Sequence, residues 1–464
     1  MLPPVAVYNC VHFAIDSRAC ILHLQPPLMA SFLRATLRSQ LKVGTKPSYS
    51  QTCRLFSTSQ SRLRIDIMTG EPTALPDIES SQLKIHKNPN PRSPPKSSSL
   101  VFGHTFTDHM ISIPWNALSG WSTPTIIPYG PLSLDPSCTV LHYAQTVFEG
   151  MKAYRDENNK VTMFRPDMNM KRMNRSAARI SLPTFNGDEM LEIIKTLVKL
   201  DSHWIPQEPG HSLYIRPTMI GTQRALGVAP PTEALLFVIC SPVGPYYKNG
   251  FKPVRLLATS NFIRAAPGGT GGYKLGANYA PGVVPQVLAA KQGYDQNLWL
   301  LGEEHYLTEV GTMNLLVVFK HPDGTTELAT PPLEDVILPG VTRDSILALA
   351  RDHESGKARI PGLPDNLKVS ERHIKMAEVK AAAESGNLLE AFGAGTAAIV
   401  CPVKAIGYQG KDINVPVGDE GMGPVCKAIL DQIVARQMGT VESDWSVVVT
   451  EGTKGSLKGP NPVA

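Results

Sequence analysis

Apolar residues recur along the chain at the two spacings that mark helices and strands. Those of Met190–Val198 follow the 3.6-residue period and predict a helix, for which Asn186 or Asp188 is a suitable N-cap. Short apolar runs at Ser212–Arg216 and Ala234–Cys240 are typical of strands. The first half of the chain is therefore expected to mix both kinds of element.

The second half alternates apolar runs with helical patterns in the same way. Gly386 and Gly439 follow two of these patterns at the position where glycine commonly ends a helix. The strands expected there lie near 254–259, 298–301 and 314–320, and the helices near 284–292, 343–353, 374–383 and 425–437. The alternation predicts an α/β, or mixed α+β, body in two domains.

Composition divides the chain into segments. Residues 87–99 are rich in Pro and Ser and have no helical or strand period, so a linker is expected there. A second break is expected at Tyr246–Gly250. The predicted segments are a presequence at 1–64, an N-terminal arm and linker at 65–99, a small domain at 100–247, an interdomain linker at 248–261, a large domain at 262–451 and a C-terminal tail at 452–464.

The net charge of +5 comes from the N-terminus. Residues 1–64 carry eight Lys or Arg and one acid, which leaves the remainder of the chain with a net charge of −2. Within Ser31–Val43, leucines and basic residues form two separate i,i+4 stripes, as in a basic amphipathic helix. This pattern predicts a mitochondrial presequence, cleaved within about Cys53–Leu63, and a location in the matrix.

Several classes of protein are disfavoured by composition. The body is nearly neutral, which gives no support for nucleic-acid binding. No run of 18 apolar residues is present, so no membrane span is expected. The seven cysteines show neither a CxxC pair nor a Cys/His cluster, which argues for a reducing compartment and against a structural metal site.

A lysine lies in the most glycine-rich part of the chain, Gly268–Tyr279. Backbone can approach a ligand closely in such a segment. The spacing resembles the phosphate loop GxxxxGK[ST], but Tyr273 replaces its last glycine and Leu275 replaces the residue that binds magnesium, which excludes that loop. Two interpretations remain equal at this point: a solvated surface lysine, or Lys274 as an amine that forms a Schiff base with an aldehyde.

One acid and two turns add candidate chemistry. Glu309 lies at the mouth of an apolar strand; alone it is more typical of a solvated turn, although a carboxylate there could keep a cofactor's pyridine nitrogen protonated. The turn Leu338–Thr342 opens a predicted helix, so its N–H groups are available to an anion. Phe392–Ala398 matches GxGxxA, but the following strand pattern with Pro402 excludes a dinucleotide-binding helix and favours an anion-binding turn.

Taken together, these segments resemble the fold-type IV pyridoxal-phosphate enzymes, and in particular the eukaryotic branched-chain aminotransferases. The resemblance runs from about Leu100 to Val449. The matching blocks are Val101–Met110, Leu141–Tyr143, Phe148–Ala153, Phe164–Pro166, Ser212–Pro217, Lys274–Tyr279, Thr308–Asn314, Leu338–Arg343 and Gly393–Ala397. So many ordered motifs make the resemblance specific, and it implies a two-domain fold with the active site between the domains.

The resemblance also implies a role for each matching residue. Lys274 would hold pyridoxal 5'-phosphate and carry the substrate proton, Glu309 would pair with the pyridine nitrogen, and Tyr279 would hydrogen-bond the ring oxygen O3′. The phosphate would be bound by Arg172, by the N–H groups of Val341 and Thr342, and by Thr396. The substrate would be surrounded by Tyr143, Phe148, Tyr214, Arg216 and Thr312, with its α-carboxylate on the N–H groups of Thr396 and Ala397.

The implied reaction is ping-pong transamination in a homodimer, in which leucine, isoleucine or valine donates its amino group and 2-oxoglutarate accepts it. Same-fold alternatives are a D-amino-acid aminotransferase and an aminodeoxychorismate lyase, which lack the Val101–Met110 and Ser212–Pro217 blocks. A nucleotide-binding or scaffold protein without chemistry is the alternative from another class. Some animal relatives carry a CxxC where this chain has Ala398 and Cys401, so a dithiol switch is not expected here.

Overall fold

The computed structural model describes residues 63–65, 72–244 and 252–451. Nearly all of the predicted presequence at 1–64 lies outside these residues, as do the predicted break at Tyr246–Gly250 and the tail at 452–464. No helix in the described ranges is both long and apolar enough to cross a membrane.

The described part before residue 245 agrees with the predicted elements. Asn186 is the N-cap of the expected helix, because its side-chain oxygen accepts the backbone N–H groups of Asp188 and Glu189. In chain order the elements are β1 (Leu63–Ile65), β2 (Pro72–Ala74), β3 (Lys84–Ile85), β4 (His109–Asn116), β5 (Gly120–Trp121), β6 (Thr125–Pro128), α1 (Thr139–Tyr143), β7 (Thr146–Phe148), β8 (Met151–Arg155), β9 (Val161–Phe164), α2 (Pro166–Arg179), α3 (Gly187–Leu200), β10 (Ser212–Gly221) and β11 (Glu233–Val243).

The part after residue 251 also contains the expected strands and helices. Gly386 and Gly439 have φ of +71° and +70° and lie just past the ends of two helices, as predicted. The elements are β12 (Val254–Thr259), α4 (Val283–Lys291), β13 (Gln296–Leu301), β14 (Tyr306–Val310), β15 (Met313–Lys320), β16 (Thr326–Thr330), α5 (Val341–Glu354), β17 (Leu367–Glu371), α6 (Met376–Glu384), β18 (Leu388–Gly395), β19 (Ile399–Tyr408), β20 (Lys411–Asn414), α7 (Pro424–Gln437) and β21 (Ser446–Thr450).

The first sheet has the strand order β21-β9-β8-β10-β11-β4-β6-β3. One edge of β10 pairs first with β8 and then with β7. The gap between these two partners lies opposite Pro217, which has no N–H to donate to a ladder. Instead, the Pro217 carbonyl accepts the N–H of Glu149 (2.8 Å). The connection from β7 to β8 therefore passes along this edge of β10 at Phe148–Gly150. Apolar residues of this sheet and of α2 and α3 form its core.

The second sheet has the order β14-β13-β12-β19-β18-β15-β16-β17. Because β14 also pairs with β15, six of its strands form a closed ring. Helices α5 and α7 cover one side, and the apolar residues beneath them include Ile346, Phe392 and Ile429. Two turns between strands of this ring contribute to the candidate site. They are the β14–β15 turn at Gly311 and the β18–β19 turn at Thr396.

The division into domains stays a prediction. Three observations in the structure concern its predicted boundaries. Strand β12 lies in the segment 248–261, predicted as a linker, and is a central strand of the second sheet. Strand β21, at the end of the predicted large domain, pairs with β9 of the first sheet. In the segment predicted as a Pro/Ser-rich linker, Arg92 donates to the buried carboxylate of Asp108 (3.1 Å) and lies over the Trp204 ring.

Candidate active site

A cavity between the two sheets, the main cavity of the candidate site, has a volume of about 450 Å³. Its walls come from β7, β10, the lysine segment, the β14–β15 turn and the β18–β19 turn. The lining residues are Phe102, Phe148, Gly150, Tyr214, Arg216, Lys274, Tyr279, Gln296, Thr312, Met313, Gly395, Thr396, Ala397 and Ala398. Eight of the predicted site residues therefore face this space.

Lys274 is fixed by contacts with both halves of the fold. Its backbone N–H donates to Ser176 Oγ on α2 (2.9 Å), and its carbonyl accepts the N–H of Phe148 (3.2 Å). The preceding loop packs closely: a Cβ on Gly271 would lie 2.1 Å from the carbonyl oxygen of Val336, so only glycine fits. The amine is thus directed into the cavity by rigid backbone rather than by a flexible surface loop.

The Lys274 amine has an aromatic environment. Nζ donates to Tyr279 Oη (3.1 Å) and lies 4.8 Å from the centre of the Phe148 ring. The Phe148 and Tyr279 rings contact each other at 4.9 Å. No described carboxylate forms an ion pair with this amine, so the group is available to react with a ligand in the cavity.

Tyr214 and Arg216 lie on one face of β10, as their spacing predicts. Arg216 Nη2 donates to Tyr214 Oη (3.1 Å), and the guanidinium lies 4.9 Å from the Phe148 ring centre. Tyr214 also explains the glycine beside it, since a Cβ on Gly150 would lie 1.9 Å from its hydroxyl. This wall of the cavity offers aromatic surface with one cation at its edge.

Glu309 is buried in β14 and has two partners. Its Oε1 accepts the N–H of Leu338 (2.7 Å), and its Oε2 lies 2.8 Å from Arg264 Nη2. Burial raises the pKa of the Glu309 carboxyl, while the Arg264 charge and the Leu338 N–H act in the opposite direction. The side chain is only 2% exposed, so Glu309 is not the solvated turn residue that its segment alone favoured, and its role beside a pyridine nitrogen stays a prediction.

An anion-binding end lies where α5 begins. Gly340 is the N-cap, so the N–H groups of Val341 and Thr342 belong to the first turn, in which helical partners are lacking. A smaller cavity of about 20 Å³ adjoins them and shares Gly150 and Thr396 with the main cavity. Phosphate and carboxylate are the groups that such a helix terminus attracts.

Arg172 lies next to this end, but most of its guanidinium is already bound. Nε and Nη2 donate to the two oxygens of Glu149 (2.8 Å each), and Nη1 donates to the carbonyl of Pro339 (3.0 Å). An arginine has five N–H donors, so two remain for a ligand. The Glu149 carboxylate thus orients Arg172, and this contact was not predicted from the sequence.

Comparison with known proteins fits this geometry. The amino-transferase class IV family model matches residues 146–406. The chain is 54% identical over 388 residues to the mitochondrial branched-chain-amino-acid aminotransferase of Saccharomyces cerevisiae, which covers 83% of this chain and 95% of the yeast protein. The chain belongs to the class IV aminotransferase family.

This class IV aminotransferase also resembles a second yeast protein and a solved structure. It is 53% identical to the cytosolic branched-chain-amino-acid aminotransferase of Saccharomyces cerevisiae, over 81% of this chain and 99% of that protein. It superposes with a TM-score of 0.55 and 25% identity on the T.th. branched-chain amino acid aminotransferase complexed with N-(5'-phosphopyridoxyl)-L-glutamate. That match covers 73% of this chain and 98% of the other.

Two cationic residues of this aminotransferase were missed in the sequence. Lys152 on β8 is buried, burial lowers its pKa to about 8, and Nζ donates to the Ala397 carbonyl (2.8 Å). Arg264, the partner of Glu309, lies ten residues before Lys274. Both residues lie in or beside matching motifs. Their importance comes from their burial, and this burial depends on the packing of strands that are distant in sequence.

Tyr143 is the predicted substrate residue that the structure places away from the cavity. It ends α1, is 37% exposed, and its hydroxyl donates to the carbonyl of Leu226. Leu141, Leu226 and Val228 are also strongly exposed around it. The sequence motif predicted Tyr143 as a substrate residue. The described chain alone does not bring Tyr143 to Lys274.

Proposed function

We propose that this aminotransferase transfers the amino group of leucine, isoleucine or valine to 2-oxoglutarate, with pyridoxal 5'-phosphate as cofactor. The observation that carries the proposal is the Lys274 amine, held without a carboxylate partner among the described residues in an aromatic cavity that has an anion-binding helix terminus at one end. The names of the yeast relatives support the choice of branched-chain substrates.

The residues around the cavity fit pyridoxal 5'-phosphate. A volume of about 450 Å³ is in the range of cofactor sites. The first turn of α5 offers the N–H groups of Val341 and Thr342, and Arg172 offers its spare donors, for a phosphate; the buried Glu309 carboxylate of β14 would pair with a ring nitrogen. When bound, the cofactor supplies an aldehyde and a ring that accepts the electrons released at the substrate Cα.

The chain's own residues would divide the remaining work. Lys274 Nζ would hold the cofactor and then move the proton at the substrate Cα, a task for which an amine without a carboxylate partner among the described residues, placed against the Phe148 ring, is suited. Tyr279 would orient that amine through its hydroxyl. The turn N–H groups of Thr396 and Ala397 would bind the α-carboxylate, which places the Cα proton towards Lys274.

The substrate side chain would lie against the aromatic wall. Phe148, Tyr214 and Phe102 provide the apolar surface that an isobutyl or isopropyl group requires. Arg216, at the edge of the same wall, would pair with the second carboxylate of glutamate, because a buried carboxylate without a partner costs several kcal/mol.

Replacement of the lysine tests the proposal. We expect Lys274→Ala to fold but to lose at least about a thousandfold of the leucine–2-oxoglutarate activity, since no other described amine takes its place. The purified protein should also show a visible absorbance band that hydroxylamine removes, and the variant should lose it. The exposed Lys291→Ala serves as control. Activity of Lys274→Ala near the level of the unchanged protein would refute the role of the lysine.

A homodimer is part of the proposal. The exposed apolar side chains of Leu141, Leu226 and Val228 lie close in sequence to Tyr143 or to its hydrogen-bond partner Leu226, and exposed apolar surface of this kind is typical of a face covered by another subunit. Light scattering after size-exclusion chromatography should give twice the mass of the chain. Leu226→Glu together with Val228→Glu should shift the protein to the monomer, and a monomer before substitution would contradict the assembly.

The mitochondrial matrix is the proposed location. The two yeast relatives include a mitochondrial and a cytosolic protein, so the basic amphipathic stretch Ser31–Val43 carries this part of the proposal. A fusion of residues 29–64 to a fluorescent protein should enter the matrix. Fluorescence that stays in the cytosol would contradict the location without affecting the proposed reaction.

A further inference from the structure

The last residue of α7 lies beside the candidate site and carries an unpaired polar atom. Gln437 is only 7% exposed, and its side-chain oxygen Oε1 has no hydrogen-bond partner among the described residues. Its side chain lines the smaller cavity beside the N-terminus of α5. A buried amide oxygen without a partner costs about 1–3 kcal/mol, so something other than protein is expected to bind it.

The wall of this smaller cavity that lies towards the main cavity is polar. Thr342 and Thr396 lie there, and the amine of Lys152 donates to the neighbouring Ala397 carbonyl. A space of about 20 Å³ holds one water molecule, and such a water needs two to four polar partners. Gln437 therefore faces the same small space as residues predicted to bind a phosphate.

Gln437 is held there by β9, and the segment after α7 packs beside it. Its backbone carbonyl accepts Thr162 Oγ1 of β9 (2.9 Å), which fixes the end of α7 against the first sheet. Trp445 then lies between the guanidinium groups of Arg165 and Arg436, at 4.6 and 5.7 Å. The same Arg165 donates to Ser345 Oγ (2.8 Å) in the first turns of α5.

We propose that Gln437 is a positioning residue of the cofactor's phosphate end: its side-chain amide holds a water in the smaller cavity, and that water donates to the phosphate. An amide suits this place because it both donates and accepts, and turning it by 180° exchanges the two roles. It also adds no charge beside the cations Arg172 and Lys152. The inference rests on the proposed cofactor and extends its site to the C-terminal helix.

Binding to the apoprotein tests the inference without any turnover. Dissociation constants of pyridoxal 5'-phosphate and of pyridoxal, which lacks the phosphate, are measured by fluorescence quenching. We expect Gln437→Leu to weaken pyridoxal 5'-phosphate binding on the order of tenfold and to leave pyridoxal binding unchanged. Gln437→Glu keeps the shape but brings a negative charge towards the phosphate, and its loss should be larger.

The controls separate this role from a structural one. Gln432→Leu makes the same substitution on the same helix, away from the cavity, and should change neither constant. Equal weakening of both ligands by Gln437→Leu, or weakening of neither, would overturn the inference. Should Gln437→Leu fail to fold, the ratio measured for Gln437→Glu decides alone. Failure of the unchanged protein to bind pyridoxal 5'-phosphate would instead refute the proposed function.

Discussion

Arg264 and Glu309 form an ion pair behind the reactive lysine, and their balance is set by burial. The carboxyl is 2% exposed and the guanidinium about 10%, so neither is well solvated. Loss of one partner from a buried pair leaves the other charge without compensation. The Arg264 charge therefore lowers the pKa of Glu309 against the effect of burial, which raises it.

We predict that Arg264→Gln raises the pKa of Glu309, because burial then acts without the opposing charge. With the ionised form active, activity is lost below that pKa, so the acid limb of kcat/KM should move to higher pH. Rates between pH 5 and 9 measure the shift. Glu309→Gln cannot titrate and should lack this limb, while an unmoved limb in Arg264→Gln would contradict the role of the pair.

Arg216 sits at the edge of an aromatic wall, where it can face either a methyl group or a carboxylate. We predict that Arg216→Gln lowers kcat/KM for glutamate and 2-oxoglutarate about a hundredfold more than for leucine, since only the diacids lose an ionic partner. Tyr214→Phe removes the contact with Arg216 but keeps the charge, so it is the matched control. Equal losses for both substrate classes would assign Arg216 to the common α-carboxylate.

The sequence predicted which residues surround the cavity better than it predicted their partners. Lys274, Tyr279 and Thr396 were found because motifs record residue types at fixed spacing. The partner of Glu309 is Arg264, which approaches it from another part of the chain, and no local pattern records such a distance. The role of Glu309 was predicted from the family motif, whereas its burial and its bond to the Leu338 N–H do not follow from the local sequence.

At the scale of elements, one ionic cluster joins β16, β17 and α6. Arg372 donates to both oxygens of Glu327 and both of Glu378, and Ser370 donates to Glu327 as well. The hydrogen bonds from Arg372 lower the pKa of Glu327 to about 2. The cluster thus connects the edge of the second sheet to the helix that follows it.

We predict that Glu327→Gln lowers the free energy of unfolding by about 1–2 kcal/mol at pH 7, a value discounted because Arg372 is partly exposed. A lowered folded-state pKa stabilises above the ordinary value of 4.5 and stops stabilising as the pH falls towards about 2. Urea titrations at pH 7 and pH 4 should therefore show a smaller difference at pH 4. Glu303→Gln, at an exposed position, should not change the free energy of unfolding at either pH. A loss of stability in Glu327→Gln that is equal at both pH values would contradict the prediction.

Most elements were predictable because their periods are local, whereas their pairing was not. The helix capped by Asn186 and the strand β15 follow from spacing alone. The strand predicted at Ser212–Arg216 continues to Gly221, since Pro217 lies opposite the gap between β8 and β7 and breaks no hydrogen bond. Strand β12 was found, but its central position depends on β13 and β19.

At the scale of the molecule, the two ends of the described chain are tied to its body. Near one end, Arg92 joins the buried Asp108 to the Trp204 ring, although its neighbours have the composition of a linker. Near the other end, β21 forms the edge of the first sheet. Both contacts join residues far apart in sequence, which explains why composition alone did not indicate them.

We predict that removal of residues 446–464 lowers the melting temperature by at least about 4 °C, because β9 loses one of its two partner strands and the Arg436 carbonyl loses the Ser446 hydroxyl. Removal of residues 452–464 leaves every described strand in place and should have no effect. Calorimetry of both truncated proteins makes the comparison. Equal melting temperatures would mean that β21 contributes little to the first sheet.

The position of β21 also sets the order in which the protein can mature during translation. Residues 446–450 leave the ribosome after the rest of the described chain, yet they form the edge strand next to β9, which is made almost three hundred residues earlier. The first sheet therefore lacks this edge strand until residues 446–450 have been made, although chains generally fold from the N-terminus onwards. A presequence at the other end would emerge first. An import receptor could then engage a nascent chain whose first sheet still lacks its edge strand β21.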